Sequence, residues 1–332
     1  MNSKFIIPVT GPIMSYRLDI YKKVCPEIRD MTIFLTDKFS YDNNFQNHRD
    51  FFHFVILDEY RKDDKVSLEY EKIFESHNEN QFYKNLTKFY NETNNRWYPL
   101  DIHRFIFPYL IKNQITNFNI TQSDFIFKND KDILKKFFDD IPSGVIYGPW
   151  HDEDVYQESR MSLFNKIQPK FTDIKFESPF LRTCDGWMRG FHFKNLDDMN
   201  LFYKIWNESL SVLYTERDDL NSHGNLVMSH TEWIFSYISQ FFEKQLNYEF
   251  SDCYKYLPVS GFNQEIGRHY SRVEDTIYSG VKPYWDNFNF NWSDMSSISN
   301  FIKNNKEQIF KYYDGTFKKI EITDTHVYTS LT

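Results

Sequence analysis

One carboxylate stands where two apolar runs meet. Residues 117–128 read Asn-Phe-Asn-Ile-Thr-Gln-Ser-Asp-Phe-Ile-Phe-Lys, so Gln122, Ser123 and Asp124 form a short polar step between two strand-like segments. A charge in such a place is costly to bury unless something uses it. We therefore interpret this step as the edge of a binding site, with Asp124 as its charged group.

Polar residues also follow three apolar runs near the amino terminus. The runs 5–9, 31–36 and 51–57 are strand-like and are followed by Thr10, Asp37 and Asp58. In α/β sheets, ligands bind beyond the carboxyl ends of parallel strands. The three residues are therefore predicted to lie near a nucleotide pocket, although ordinary caps at the strand ends explain them equally well.

The elements that must position these residues indicate an α/β fold. Around Asp124 the predicted order is apolar helix, strand, acidic step, strand, short helix and strand. The apolar helix or helix pair covers 96–112 and contains Arg104, which either points toward a phosphate or lies on the solvent face. Alternating residues predict a half-exposed strand over 171–176, and helical spacing of apolar residues predicts a helix over 195–213.

This order of segments resembles that of nucleotide-sugar glycosyltransferases with the GT-A fold, over roughly residues 4–290. The resemblance implies a single α/β domain with a mixed central sheet flanked by helices. It also implies a donor-binding half over 1–150, an acceptor-binding half over 151–290 of the same domain, and a helical or extended tail over 291–332.

In GT-A enzymes an Asp-x-Asp step holds a divalent cation on the diphosphate of the sugar donor. Asp124 matches the second aspartate, and Gln122 stands in place of the first. Mn²⁺ or Mg²⁺ would neutralise the leaving diphosphate, but an amide carbonyl is a weaker ligand than a carboxylate. The resemblance therefore implies a cation that is bound weakly or is absent, with Asp124 as the uncertain ligand.

The glycine-punctuated segment 183–194 resembles the GT-A strand entry that lines the sugar and acceptor pocket. Asp185 would accept hydrogen bonds from sugar hydroxyls, Trp187 would stack on a pyranose, and Arg189 would contact the acceptor. The alternative is a strained turn with Trp187 in the core.

Residues 226–238 resemble the segment of such transferases in which an acidic residue opens a helix beside the reaction centre. Glu232 is our first candidate for the catalytic carboxylate, His230 is the second, and Asp185 is a further candidate. A carboxylate there acts as base for an incoming hydroxyl or assists an oxocarbenium-like centre. An amino-terminal helix cap is the alternative role for Glu232.

Residues 276–285 resemble a loose form of the His-x-x-Gly-x-x-Lys-Pro-Trp motif of family 8 glycosyltransferases, the family that includes glycogenin. Lys282 matches the lysine that binds the donor phosphate, whereas Thr276 replaces the histidine that completes the metal site. Gly280 is one residue out of place, and Tyr284 is inserted. His269, upstream of this segment, is an alternative metal ligand. Lys282 would supply positive charge if the cation is bound weakly or is absent.

Composition excludes several classes of protein. The chain has 332 residues, of which 41% are hydrophobic and 19% aromatic, which indicates a globular protein. The net charge of -8 argues against general attraction to phosphate backbones. No stretch approaches the length of a membrane span, and Cys25, Cys184 and Cys253 lack metal-like spacing. We expect a cytoplasmic protein with reduced thiols.

The sequence is compatible with two kinds of acceptor and with one non-catalytic function. The implied donor is a nucleoside diphosphate sugar such as a UDP-sugar, and the acceptor is either a saccharide, as in bacterial surface saccharides, or a hydroxylated base in phage DNA. DNA would require a local basic groove, for which Arg182, Arg189, Arg268 and Arg272 are candidates. A non-catalytic carbohydrate-binding protein on a degenerate transferase scaffold would explain the missing aspartate and histidine. The sequence does not indicate the oligomeric state.

Overall fold

The architecture comes from a computed structural model. It describes residues 3–9, 18, 21–22, 26–61, 102–121, 125–127, 130–148, 150–151, 164–176, 183–184, 188–215, 227–252, 255, 259–260, 263–264, 267–269, 304, 319–322 and 327–330. For some of these, including 227–233 and 267–269, the description is confined to the backbone.

The described strands, in chain order, are Lys4–Pro8 (β1), Thr32–Thr36 (β2), His53–Ile56 (β3), Asn117–Thr121 (β4), Phe125–Phe127 (β5), Val145–Gly148 (β6), Trp150–His151 (β7), Thr183–Cys184 (β8), Met188–His192 (β9), Glu249–Asp252 (β10), Val259–Ser260 (β11), Asn263–Gln264 (β12), Gly267–His269 (β13), Lys319–Ile322 (β14) and Val327–Ser330 (β15). The α-helices are Lys38–Asn44 (α1), Asp58–Arg61 (α2), Ile106–Lys112 (α3), Lys131–Asp139 (α4), Leu196–Thr215 (α5) and Val227–Leu246 (α6). Short 3-10 helices cover Pro26–Met31, Gln46–His48, Ile102–Phe105 and Gln168–Lys170.

The central sheet has seven strands in the order β10-β6-β9-β4-β1-β2-β3. Neighbours pair in parallel except at β9, which is antiparallel to both β4 and β6. The sheet takes strands from both halves of the chain, so the two halves form one structural unit. The predicted α/β fold with a mixed central sheet flanked by helices is confirmed.

Helices α3, α5 and α6 cover one face of the sheet. Their apolar side chains join those of the strands in one buried cluster, which includes Phe107, Phe118, Phe191, Phe202 and Phe235. Many of these side chains make ring–ring contacts. The ring centroids of Phe118 and Phe191, for example, lie 4.9 Å apart. Strand β2 is buried along its whole length, because Ile33 and Leu35 join this cluster on one face while the ring of Phe34 contacts those of Tyr21 and Phe52 on the other.

Helix α4 and strand β5 pack on the opposite face. The ring of Phe5 in β1 contacts Phe127 of β5 at 4.4 Å and Phe138 of α4 at 4.6 Å between centroids. Asp130 caps α4, because its side chain accepts hydrogen bonds from the backbone N–H groups of Asp132 and Ile133. This cap marks the start of α4.

Three smaller sheets complete the described structure. Strand β5 pairs with β13 in a four-stranded sheet of order β11-β12-β13-β5, while β7 pairs with β8 and β14 with β15. The chain thus leaves the central sheet at the end of β4 and enters the second sheet at β5.

The strand predicted over 171–176 is wrong. These residues form an irregular segment after the 3-10 helix Gln168–Lys170. The side chain of Gln168 holds the segment, since its amide donates to the Ile174 carbonyl at 2.8 Å and its carbonyl accepts from the Phe176 N–H at 2.9 Å. Phe171 and Phe176 are both buried, and their rings contact each other, so the apolar pattern reflects a folded loop.

Candidate functional site

The chain reverses its direction of travel across the sheet between β1 and β4. From β1 it proceeds outward to β2 and β3, and it then returns to place β4 on the other side of β1. In open α/β sheets, ligands bind at such a switch point, beyond the carboxyl ends of the strands. In the sequence, Thr10 comes shortly after β1 and the step 122–124 comes directly after β4.

Asp37 lies directly after β2 and caps helix α1. Its two carboxylate oxygens accept from the backbone N–H and the hydroxyl of Ser40, at 2.7 and 2.6 Å. The side chain is 3% exposed. Burial raises the pKa of Asp37, opposed by the hydrogen bonds from Ser40, and the nearby charge of Asp58 raises it further. These contacts are those of a strand-end cap, and contact with a nucleoside stays a prediction.

Asp58 stands at the start of α2 and reaches the same helix terminus. Its carboxylate accepts from the backbone N–H of Lys38 at 2.6 Å. The structure therefore brings Asp37 and Asp58 together at the first turn of α1, as the sequence predicted from their positions after adjacent strands. Like Asp37, Asp58 binds backbone amides here.

Arg104 does not lie on a solvent face. It is fully buried in the 3-10 helix before α3, and its guanidinium donates to the side-chain carbonyl of Asn207 in α5 at 3.0 Å. The guanidinium carbon also lies 4.1 Å from the ring centroid of Phe105. The expected solvent exposure is wrong, because the cation has both an acceptor and an aromatic ring inside the fold.

Arg189 is buried at the beginning of β9, beside the carboxyl end of β4. Its backbone pairs with Ile120, and its guanidinium carbon lies 5.0 Å from the ring centroid of Phe235 in α6. Helix α6 also packs against β8, the strand that precedes Asp185. Helix α6, which carries Glu232 and His230, therefore contacts β8 and β9, the two strands that flank residues 185–187 in the sequence.

Glu232 and His230 both lie in helix α6, of which the structure describes the backbone in this part. The helix begins at Val227, so Glu232 is in its second turn and Phe235 follows one turn later. The expectation that Glu232 opens the helix is wrong, and so is its alternative role as an amino-terminal cap. Residues from Val227 onward are helical without a break, so Glu232 lies inside the helix.

Sequence reasoning missed a buried polar row on the α4 face of the sheet. Asn119 of β4, Gly190 of β9 and Tyr147 of β6 are in register across three neighbouring strands. The amide of Asn119 donates to the Tyr147 hydroxyl at 2.8 Å, and the Thr121 hydroxyl donates to the Asn119 carbonyl at 2.5 Å. The available signal was the alternation of Asn119 and Thr121 with apolar residues, together with a glycine inside an apolar strand.

His192 lies on the same face, at the end of β9. It is fully buried, and its ring contacts the rings of Phe138 and Tyr147 at 6.0 and 6.2 Å between centroids. Burial lowers the pKa of His192 to about 4, an effect that the backbone of Ile141 partly offsets. The imidazole is therefore neutral at physiological pH.

The remaining predicted site residues lie outside the described residues. They are Thr10, Gln122, Asp124, Asp185, Trp187 and Lys282. Within the described part of the chain, no group of three or more His, Cys, Asp or Glu residues is placed to hold a metal ion. Nor does any helix in that part combine the length and apolar character needed to cross a membrane.

Comparisons with known proteins give a distant likeness to solved transferases. No family model matches the chain, and no curated protein matches it. The apo form of mouse xyloside xylosyltransferase 1 is similar at 12% identity and a TM-score of 0.38, over 75% of this chain and 84% of that one. Mannose-1-phosphate geranyltransferase from Thermus thermophilus is similar at 7% identity and a TM-score of 0.25, over 77% and 70% of the two chains. Because these identities and TM-scores are low, neither structure identifies the family or substrate of this chain.

Proposed function

We propose that this protein transfers a sugar from a nucleoside diphosphate sugar to a hydroxyl acceptor. The observation that carries the proposal is the switch point between β1 and β4, where a ligand site of an α/β sheet is expected. Thr10 follows one of these strands and the step 122–124 follows the other. The antiparallel strand β9 and helix α6 lie on the β4 side of this point, which is where a transferred sugar would meet the acceptor.

The donor diphosphate needs positive charge to leave. In the proposal, Lys282 binds the diphosphate, Asp124 and Gln122 bind the ribose, the sugar or a cation, and Asp37, Asp58 and Thr10 lie toward the nucleoside. Positive charge at the leaving diphosphate stabilises the negative charge that develops there in the transition state. This role of Lys282 is consistent with Gln122 and Thr276 standing in place of two metal ligands.

A divalent cation would be held by Asp124 together with His269. The backbone of His269 pairs with that of Phe125, the residue directly after Asp124, in the antiparallel β5–β13 ladder. Carboxylate oxygen and imidazole nitrogen are both suitable ligands for Mn²⁺. When bound, the cation would neutralise charge on the leaving diphosphate.

The transfer itself needs a base for the acceptor. As the bond between the anomeric carbon and the diphosphate oxygen breaks, its electron pair leaves with the diphosphate, and the acceptor oxygen bonds to the same carbon. Glu232 takes the proton of that hydroxyl, with His230 as the second candidate. Asp185 and Trp187 would orient the sugar by hydrogen bonding and by stacking.

Titration calorimetry with nucleoside diphosphates tests donor binding separately from turnover. Wild-type protein should bind at least one nucleoside diphosphate, and Asp124→Asn and Lys282→Met should each weaken that binding by about tenfold or more, as expected for loss of one charged contact. Asp139→Asn, on the exposed surface of α4, is a matched control that should bind normally. Absence of binding by every nucleoside diphosphate would contradict the proposal and favour a carbohydrate-binding protein.

A further inference from the structure

The buried row of Asn119, Gly190 and Tyr147 depends on the Tyr147 side chain crossing a glycine. Strand β9 separates β4 from β6, so Tyr147 reaches Asn119 only by crossing Gly190. Its ring fills the space above that glycine, since a Cβ on residue 190 would lie 1.8 Å from the Tyr147 Cζ. Only glycine at position 190 permits this crossing.

The row continues along β4 to the end of the strand. Asn119 and Thr121 are two residues apart, so their side chains project from the same face of the sheet. The Asn119 side chain uses its amide toward Tyr147 and its carbonyl toward the Thr121 hydroxyl. Thr121 is the last residue of β4, and the next residues in the chain are Gln122, Ser123 and Asp124.

Aromatic rings surround the row, and the buried imidazole of His192 contacts the ring of Tyr147 from the same face. Asn119 and Thr121 are fully buried, and the rings of Phe5, Phe137 and Phe138 pack on this face. An amide buried among such groups costs free energy unless both its donor and its acceptor are paired, and apolar side chains would fill the same volume without that requirement. What the polar row adds is direction, because hydrogen bonds fix side-chain orientation in a way that apolar contacts do not.

We propose that Asn119 and Tyr147 are positioning residues. They hold Thr121 in one orientation and thereby fix the end of β4, from which the polar step 122–124 departs. The consequence for catalysis rests on the proposed function, in which that step contacts the donor. The structural part of the inference stands without it, because it concerns the Thr121 side chain at the end of β4.

Two near-isosteric variants break the row at different points. Tyr147→Phe removes the hydroxyl and keeps the ring over Gly190, and Thr121→Val removes the other hydroxyl with little change of shape. Tyr237→Phe is the matched control, because the Tyr237 hydroxyl also makes a buried hydrogen bond, here as donor to Ser209, but between α5 and α6 on the other face. Thr121→Ser restores the hydroxyl and should behave as wild type.

Hydrogen exchange measured by mass spectrometry on peptides covering 122–128 is the direct test. We expect exchange about fivefold faster in Tyr147→Phe and Thr121→Val than in wild type, as for loss of one buried hydrogen bond, and no change in Tyr237→Phe. Equal exchange in the wild type and both row variants would overturn the inference, as would an equal increase in Tyr237→Phe.

Kinetics then connects the row to the reaction. Both row variants should lower kcat about tenfold and also raise KM for the donor, because the step 122–124 contacts the donor in the proposed function and its misplacement weakens both donor binding and the transition state. Thr121→Ser should show neither change. Unchanged kcat would show that the step 122–124 is not positioned by the row for catalysis and would overturn that part. A wild-type protein that turns over no donor, with exchange that responds as expected, would instead overturn the proposed function and leave the positioning confirmed.

Discussion

The ring of Tyr147 lies directly across Gly190, so closely that a Cβ on residue 190 would stand 1.8 Å from the Tyr147 Cζ. Because the residues are in register on adjacent strands, β6 and β9 approach with a tyrosine filling the place of a missing side chain. This pair links a strand from the first 150 residues, β6, to a strand from the later part of the chain, β9.

Gly190→Ala should therefore lower the free energy of unfolding by about 3 kcal/mol, the upper range for overpacking a tight core. Urea denaturation measures the change. In a Tyr147→Leu background the same substitution should cost less than about 1 kcal/mol, because the obstructing ring is gone. An equal cost in both backgrounds would show that the contact is not the cause.

His192 should make stability depend on pH. Its folded pKa of about 4 lies below its ordinary value of 6.5, so the unfolded chain binds more protons between these two values. Stability is therefore lost as pH falls from about 6.5 to about 4, by up to about 3 kcal/mol. His192→Phe should flatten this part of the profile in urea denaturation at several pH values. A profile as steep as that of the wild type would argue against a buried neutral imidazole.

Asp37 should contribute to the pH dependence of stability in the opposite direction to His192. Burial raises its folded pKa, so the folded chain binds more protons than the unfolded chain, and this contribution to stability falls as pH rises through the folded pKa. Asp37→Asn keeps an acceptor for Ser40 without the charge, whereas Asp37→Ala loses the cap and should cost about 1–2 kcal/mol. Thermal unfolding at several pH values from about 4, near the ordinary pKa of an Asp side chain, up to 7 compares the variants. The melting temperature of the wild type relative to that of Asp37→Asn should be higher at lower pH. A difference in melting temperature that does not change with pH would contradict a raised pKa for Asp37.

Arg189 should contribute to the stability of the fold through packing, in addition to any contact with a substrate. Its side chain is 1% exposed, and its guanidinium faces the ring of Phe235. Arg189→Lys keeps the charge but loses the planar group, and should lower the free energy of unfolding by about 1 kcal/mol. Phe235→Leu should remove most of that difference in a double-mutant cycle. An unchanged stability together with a raised KM for acceptor would favour the acceptor-contact role alone.

Regular elements were predictable from the sequence where one local pattern determined them. The continuous apolar runs of β1 and β2 and the helical spacing in α5 are short-range signals, and their positions agree within about one or two residues. The shared edge of β2 and β3 was also predictable, because polar residues follow these successive strands in the sequence. Asp37 and Asp58 do meet there, although their oxygens bind the first turn of α1.

Other features depended on contacts between distant residues. The loop over 171–176 alternates like a strand, but hydrogen bonds from Gln168 decide its conformation. Arg104 has the sequence pattern of a surface cation, but Asn207, about a hundred residues later, supplies its acceptor. The row of Asn119, Gly190 and Tyr147 requires the strand order β6-β9-β4, which no local pattern contains.

Release of nucleoside diphosphate from a panel of nucleotide sugars, with and without Mn²⁺, tests the proposed transfer most directly. Wild-type protein should hydrolyse or transfer at least one donor, and Glu232→Gln should reduce that rate by about a hundredfold, as for loss of a general base. Glu243→Gln, farther along the same helix α6, should retain full activity. Turnover of no donor by folded wild-type protein, or full turnover by Glu232→Gln, would contradict the account.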